Sequence, residues 1–220
     1  MDTFWDKLIL VFITSVFGIV AAILTPRVLD WRRRRKLTAD LIQELENLKI
    51  QISLQHLGYM RDLQFVTHGM IDGGQSVKFA NTIYSNFYKD VCADLNASQR
   101  QSYELIHGFI ESMNDLTQRQ ADLVHESMRG ISAEIIVIGT HLAVAQYENI
   151  RILDWQIGYH LRNQKNPELG YMTETHREYL LKLEEIRNDI KKIMDAASKL
   201  DVTDIRHGYR PEDFKHLDVS

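Results

Sequence analysis

Apolar residues crowd the start of this chain and then spread into regular steps. From Leu8 to Pro26 no residue carries a charge, and twelve positions between Leu8 and Leu24 are Leu, Ile, Val or Phe. As a helix this run is roughly 28 Å long, close to the hydrocarbon thickness of a bilayer. Its apolar side chains favour insertion by roughly 4–7 kcal/mol. The pattern predicts a single N-terminal transmembrane helix. A soluble core helix rarely runs this long without a charge.

Beyond the run the apolar positions step at helical spacing. Leu41, Leu45, Leu48 and Ile52 follow a 4-3-4 pattern, one face of a packed helix. Thr25-Pro26 reads as an N-cap and first helical proline, so this helix is expected to start at the membrane surface. It is expected to run towards His56 or His68, with a break near Gly58. Gly69–Ser76 reads as a loop. A short helix over Asn81–Leu95 shows Ile83, Tyr84, Phe87, Tyr88 and Val91 on one face. Ser98 and Gln101 have capping-box spacing and open the next helix. That helix carries Leu105, Ile106, Phe109, Ile110, Met113, Leu116, Leu123 and Val124, and Gly130 ends it.

Two further helices follow. Ile131, Ile135, Ile138, Leu142, Ala145, Asn149, Ile152, Gln156 and Tyr159 form one 4-3 row. The stretch Ile135–Gln146 is too short for a second span and reads as a core helix. After a loop over Asn163–Gly170, Tyr179, Leu183, Ile186, Ile190, Ile193, Ala197 and Leu200 repeat the spacing. The fold class is therefore all-α: one transmembrane helix, then an antiparallel bundle of four to five helices. The expected divisions are a 1–36 anchor, a 37–200 bundle and a 201–220 polar tail.

Charge adds a side. Residues 1–36 carry seven Lys or Arg and three Asp, net +4; the remainder carries 19 basic and 27 acidic residues, net −8. Arg27, Arg32, Arg33, Arg34, Arg35 and Lys36 follow the run, against Asp2, Asp6 and Lys7 before it. The positive-inside rule then places the bundle in the cytoplasm and the N-terminus outside an inner (plasma) membrane. The reversed polarity speaks against a cleaved signal peptide. Trp5 and Trp31, roughly 39 Å apart on a helix, match the two aromatic belts. Trp31 and the Arg32–Lys36 block are the expected contacts with anionic membrane lipids. The acidic remainder disfavours nucleic acid as a partner. The single cysteine, Cys92, suits a reducing compartment.

Within the run, Thr14, Gly18, Ala22 and Thr25 share one face. Small residues so placed let helices approach closely in lipid, so the span is expected to associate and the chain to form a homo-oligomer. The expected role is a scaffold, sensor or adaptor that meets a cytoplasmic protein partner. The layout is also similar to the single-span helical accessory protein of type VI-B CRISPR systems, a likeness of architecture alone. It implies an oligomeric pore acting in antiviral defence, with Thr14, Ser15 and Thr25 as a polar lining.

Motifs for chemistry are sparse. Glu104-Leu105-Ile106-His107 is a Glu-x-x-His step, but di-metal bundles need two such pairs and two further glutamates. No metal or other cofactor and no catalytic residue is expected. Arg61…His68, Arg100…His107 and Arg210…His216 resemble the catalytic Arg…His pair of HEPN ribonucleases, which are also helical bundles. That resemblance covers eight residues and would imply an RNase. Gly69–Gly74 lacks the Lys-Ser/Thr ending of a phosphate loop, and no Gly-x-Ser-x-Gly nucleophile motif occurs.

Overall fold

The computed structural model describes residues 2–71, 77–169 and 174–203, with side chains from Phe12 onward. All regular structure among these residues is helical. Helix α1 spans Asp2–Thr67, α2 Thr82–Val91, α3 Ala97–Ser127, α4 Ala133–Arg162 and α5 Glu174–Ala197. A single 3-10 turn, Cys92–Asp94, joins α2 to α3. Residues 204–220, with most of the expected tail, lie outside the described residues, as do 72–76 of the first loop and Gly170 of the second.

Helix α1 is 66 residues long and contains Pro26. The expected helix start at Pro26 is therefore overturned, as is the break near Gly58. A proline removes one backbone hydrogen bond and crowds one carbonyl, at a cost of about 3 kcal/mol. Ending the helix there would instead strand up to four N–H and four C=O groups beside an apolar run. One lost bond is the smaller penalty.

From Leu41 onward α1 packs against the other helices, with α4 as its main neighbour. Leu41, Leu45, Leu48 and Ile52 are buried, as their spacing requires. They share one core with Tyr103, Ile106, Ile110 and Met113 of α3, Ala143, Tyr147, Ile150, Leu153 and Ile157 of α4, and Ile186, Ile190 and Ile193 of α5. Two neighbouring pairs have contacts that run in opposite directions. Arg33 meets Asp90 while Gln55 meets the Val77 carbonyl, so α2 and its lead-in run back along α1. Ser102 meets His160 while Leu123 lies beside Gly139, so α4 runs back along α3.

Helix α4 follows its expected row only in part. Of that row Ile135, Leu142, Ile152 and Gln156 are buried, but Ile138 is exposed and Ile131 lies before the helix, while Gly139, Ala143, Gln146, Tyr147, Ile150 and Leu153 are buried beside the row. In the stretch 135–146 almost every register is apolar, so periodicity cannot choose the face. Close approach chooses it: a Cβ on Gly139 would sit 3.3 Å from Ile71 and 3.4 Å from Leu123. The small residue lets α4 come near its neighbours.

The helix starts are held by polar side chains. Asn96, not Ser98, caps α3. Its side chain accepts the Gln99 amide at 2.8 Å, and the Gln99 side chain accepts the Asn96 amide at 2.9 Å. Ser98 instead donates to the Asn96 side chain. Ser132 caps α4 by accepting the Ile135 amide. Beyond α3, Gly130 takes φ +148, a conformation that suits a residue without a Cβ.

Candidate membrane-interface site

The apolar part of α1 makes no core. Among the described residues, α1 is the one helix long and apolar enough to cross a membrane, and none of its most apolar window is buried. Thr14, Gly18, Ala22 and Thr25 are all exposed, and a Cβ built on Gly18 meets nothing within 4 Å. Because α1 is unbroken, the direction of this face can be followed down the helix. Leu45 follows Gly18 by 27 residues, or about seven and a half turns, so it points the opposite way. Leu54 follows Gly18 by 36 residues, and Ile50 follows Thr14 by 36, each about ten turns and the same direction. Ile50 and Leu54 are 59% and 75% exposed. One face of α1 thus packs the helical body, and the opposite face carries small residues above and bare aliphatic side chains below.

The basic block divides between the body and solvent. The Arg33 guanidinium pairs with Asp90 at 3.0 Å. Arg34 pairs with Asp30 at 2.9 Å, one turn earlier, and reaches Asp94 at 3.8 Å. These bonds tie the end of α2 and the 3-10 turn to α1 just below the apolar run. Arg35 lies over the Trp31 ring, 5.5 Å from its centroid, a cation–π contact. Arg32 and Lys36 are exposed. Trp5 belongs to α1, but its side chain lies outside the described residues.

A second polar group sits inside the body. The Glu44 carboxylate accepts the Ile83 amide at 2.6 Å and the Tyr84 amide at 3.0 Å, capping α2 from another helix. Burial pushes the Glu44 pKa up, and these two amides pull it back in part. His107 stacks on Tyr84 with ring centroids 3.6 Å apart, and its Nε2 lies 4.0 Å from Glu44. Burial pulls the His107 pKa down to about 3, with nearby His160 adding to the effect. His107 is therefore neutral at pH 7, and its contact with Glu44 is no ion pair. His160 Nδ1 lies 2.7 Å from Ser102 Oγ, and burial lowers its pKa to about 4. Both His107 ring nitrogens, His160 Nε2 and the Tyr103 hydroxyl are buried without a hydrogen-bond partner. Sequence spacing singled out His107 but not this cluster, whose members come from four helices.

The candidate motifs are dispersed or occupied. Glu104 is exposed while His107, three residues on, is buried, so the Glu-x-x-His step does not face one site. Among the described residues no group of three or more His, Cys, Asp or Glu is gathered for a metal ion. His68 Nε2 donates to the Ala197 carbonyl at 2.8 Å. Arg100 donates to the Leu95 and Cys92 carbonyls and closes the 3-10 turn. Arg61 lies over the Phe65 ring. Arg210 and His216 lie outside the described residues. Comparison with protein-family models, with characterised proteins and with solved structures returns no match.

Proposed function

We propose that this chain is a membrane-anchored interaction module. The first part of α1 spans the bilayer, and the remaining helices form an antiparallel cytoplasmic bundle that carries the protein contacts. The observation behind this reading is the two-sided character of α1. A wholly unburied apolar segment continues, without a break, into a helix whose next apolar stripe is fully buried. Such a segment left in water would expose an apolar surface far larger than soluble monomers tolerate. The basic residues at its end set the side.

The module assembles with copies of itself through the face that bears Thr14, Gly18, Ala22 and Thr25. Its continuation at Ile50 and Leu54 supports this, because the bodies would then lie on the outer side of the contact. Alkaline extraction of membranes followed by mass measurement in detergent tests both parts. Retention in the membrane and a multiple of the 25.7 kDa chain mass are expected. Release by alkali removes the anchor, and a strict monomer removes the assembly.

The hydroxyls of Thr14 and Thr25 on the exposed face favour one further reading, an oligomer whose spans line a pore. Expression would then depolarise the membrane, and Gly18→Leu would abolish the effect. Unchanged membrane potential at all expression levels removes the pore and leaves the tethered module.

A further inference from the structure

A cleft of about 470 Å³ opens where α1 leaves the apolar run, lined by Arg27, Asp30, Trp31, Arg34, Arg35 and Thr38 of α1 and by Asp94 of the 3-10 turn. The α1 members recur at steps of three and four residues and so share one face of the helix. It is the same side that packs the body at Leu41 and Leu45. The cleft therefore forms where the body stops short of the membrane and its upper edge, at Asp94, becomes the opposite wall.

The charges in this cleft are not equivalent. Arg34 is held by Asp30 at 2.9 Å and by Asp94 at 3.8 Å. Thr38 donates to the Arg34 carbonyl, which fixes the helix turn between them. Among the described residues, Arg27 and Arg35 are the cleft cations without a carboxylate. Arg35 rests over the Trp31 ring, which limits its rotamers, and both side chains line the cleft. Arg27 directly follows Pro26 and Arg35 lies nine residues, about two and a half turns, beyond it, with Trp31 between them. Two guanidinium groups beside an aromatic ring at the end of a span suit a lipid phosphate.

We propose that this cleft binds one phospholipid headgroup through its phosphodiester, with Arg27 and Arg35 as the phosphate-binding residues. The proposal rests on the reading that α1 spans the bilayer. The lining of three arginines and two aspartates has a net charge of +1. That charge matches the single negative charge of a phosphodiester. It is too small for a phosphomonoester, which carries about −1.5 to −2. The cleft thus differs from the exposed Arg32 and Lys36, which attract any anionic surface in proportion to its charge.

Native mass spectrometry of the detergent-solubilised full chain tests this, with phosphatidylglycerol, phosphatidate and inorganic phosphate as separate probes. One phosphatidylglycerol should stay bound per chain. Arg27→Gln with Arg35→Gln should lower its retention about tenfold, since two charge-assisted contacts are lost. Arg32→Gln with Lys36→Gln removes the same charge outside the cleft and should change retention less than about twofold. Asp94→Asn should move the preference towards phosphatidate. Equal loss in the two double variants, tighter binding of phosphatidate by the wild type, or displacement of the lipid by equimolar inorganic phosphate would each overturn the proposal. Alkaline extraction of the same variants separates the two failures. Release of the wild type means that the span reading fails; retention without lipid selectivity means that only the cleft fails.

Discussion

The Glu44 carboxylate of α1 accepts the backbone amide of Ile83 in α2 at 2.6 Å, so one helix caps the next across the core. Asn81, at the usual capping position, makes no side-chain cap and bonds Ser85 instead. Glu44→Ala should therefore destabilise the body by about 2 kcal/mol, the worth of a charge-assisted cap left unmade. Glu44→Gln keeps one acceptor oxygen and should lose about half as much. Urea unfolding of the full chain in detergent measures both, and hydrogen exchange at the Ile83 and Tyr84 amides should rise first. Unchanged exchange at those two amides would contradict the cap.

The buried histidines give the body an acid limit. His107 and His160 are held neutral, with pKa values near 3 and 4, whereas each takes up a proton near pH 6.5 when unfolded. Between those values the unfolded chain binds more protons, so stability is complete above about pH 6.5 and falls as pH drops towards 4. The slope should be roughly 1.4 kcal/mol per pH unit for each histidine. Glu44, whose pKa is raised by burial, acts in the opposite sense as acid protonates it. Unfolding midpoints from pH 8 to pH 4.5 test this. His160→Asn should flatten the profile, and His141→Gln, at an exposed position, should not. A wild-type profile flat to pH 4.5 would contradict neutral burial.

The exposed face of α1 makes a paired prediction. Gly18→Leu in the proposed span and Leu54→Arg ten turns below should each weaken the proposed self-association by about tenfold, because both lie on one continuous face. Neither position packs the core, so the unfolding midpoint should move little. Sedimentation in detergent reads the association. An effect of Gly18→Leu with none of Leu54→Arg would confine the contact to the span.

The core supplies a control. Leu45→Ala removes a fully buried side chain from the centre of the α1 stripe and should cost 2–5 kcal/mol, against little for Ile50→Ala on the opposite face. Equal losses at the two positions would show that α1 packs with a different face inward.

Amphipathic periodicity made much of this fold legible. The rows Leu41–Ile52 and Ile186–Ala197 face the core as their spacing requires, because each alternates with charged residues that fix the register. Helix α4 was legible as a helix but only in part in orientation, since Ile135, Leu142, Ile152 and Gln156 are buried and Ile138 is not. Its Ile135–Gln146 stretch offers apolar residues on every side, and the choice fell to the close approach at Gly139. Pro26 misled because a local helix-start signal competes with the cost of breaking a long apolar helix. Ser98 misled because Asn96 and Gln99 hold the same spacing two residues earlier. At the membrane-interface site, the tryptophan and the basic block were visible, but their division was not. Asp90 and Asp94 are distant in sequence, and only the fold brings them to Arg33 and Arg34. The Glu44–His107–His160 cluster was likewise hidden, since its residues come from α1, α3 and α4.

Topology tests the central claim most directly. In a Cys92→Ala background, Thr3→Cys and Glu126→Cys place one thiol at each end of the proposed arrangement. A membrane-impermeant maleimide applied to intact cells should label Thr3→Cys. It should reach Glu126→Cys only after the membrane is permeabilised. That result would establish a spanning α1 with its body in the cytoplasm. Labelling of Glu126→Cys in intact cells, or protection of Thr3→Cys until permeabilisation, would contradict it.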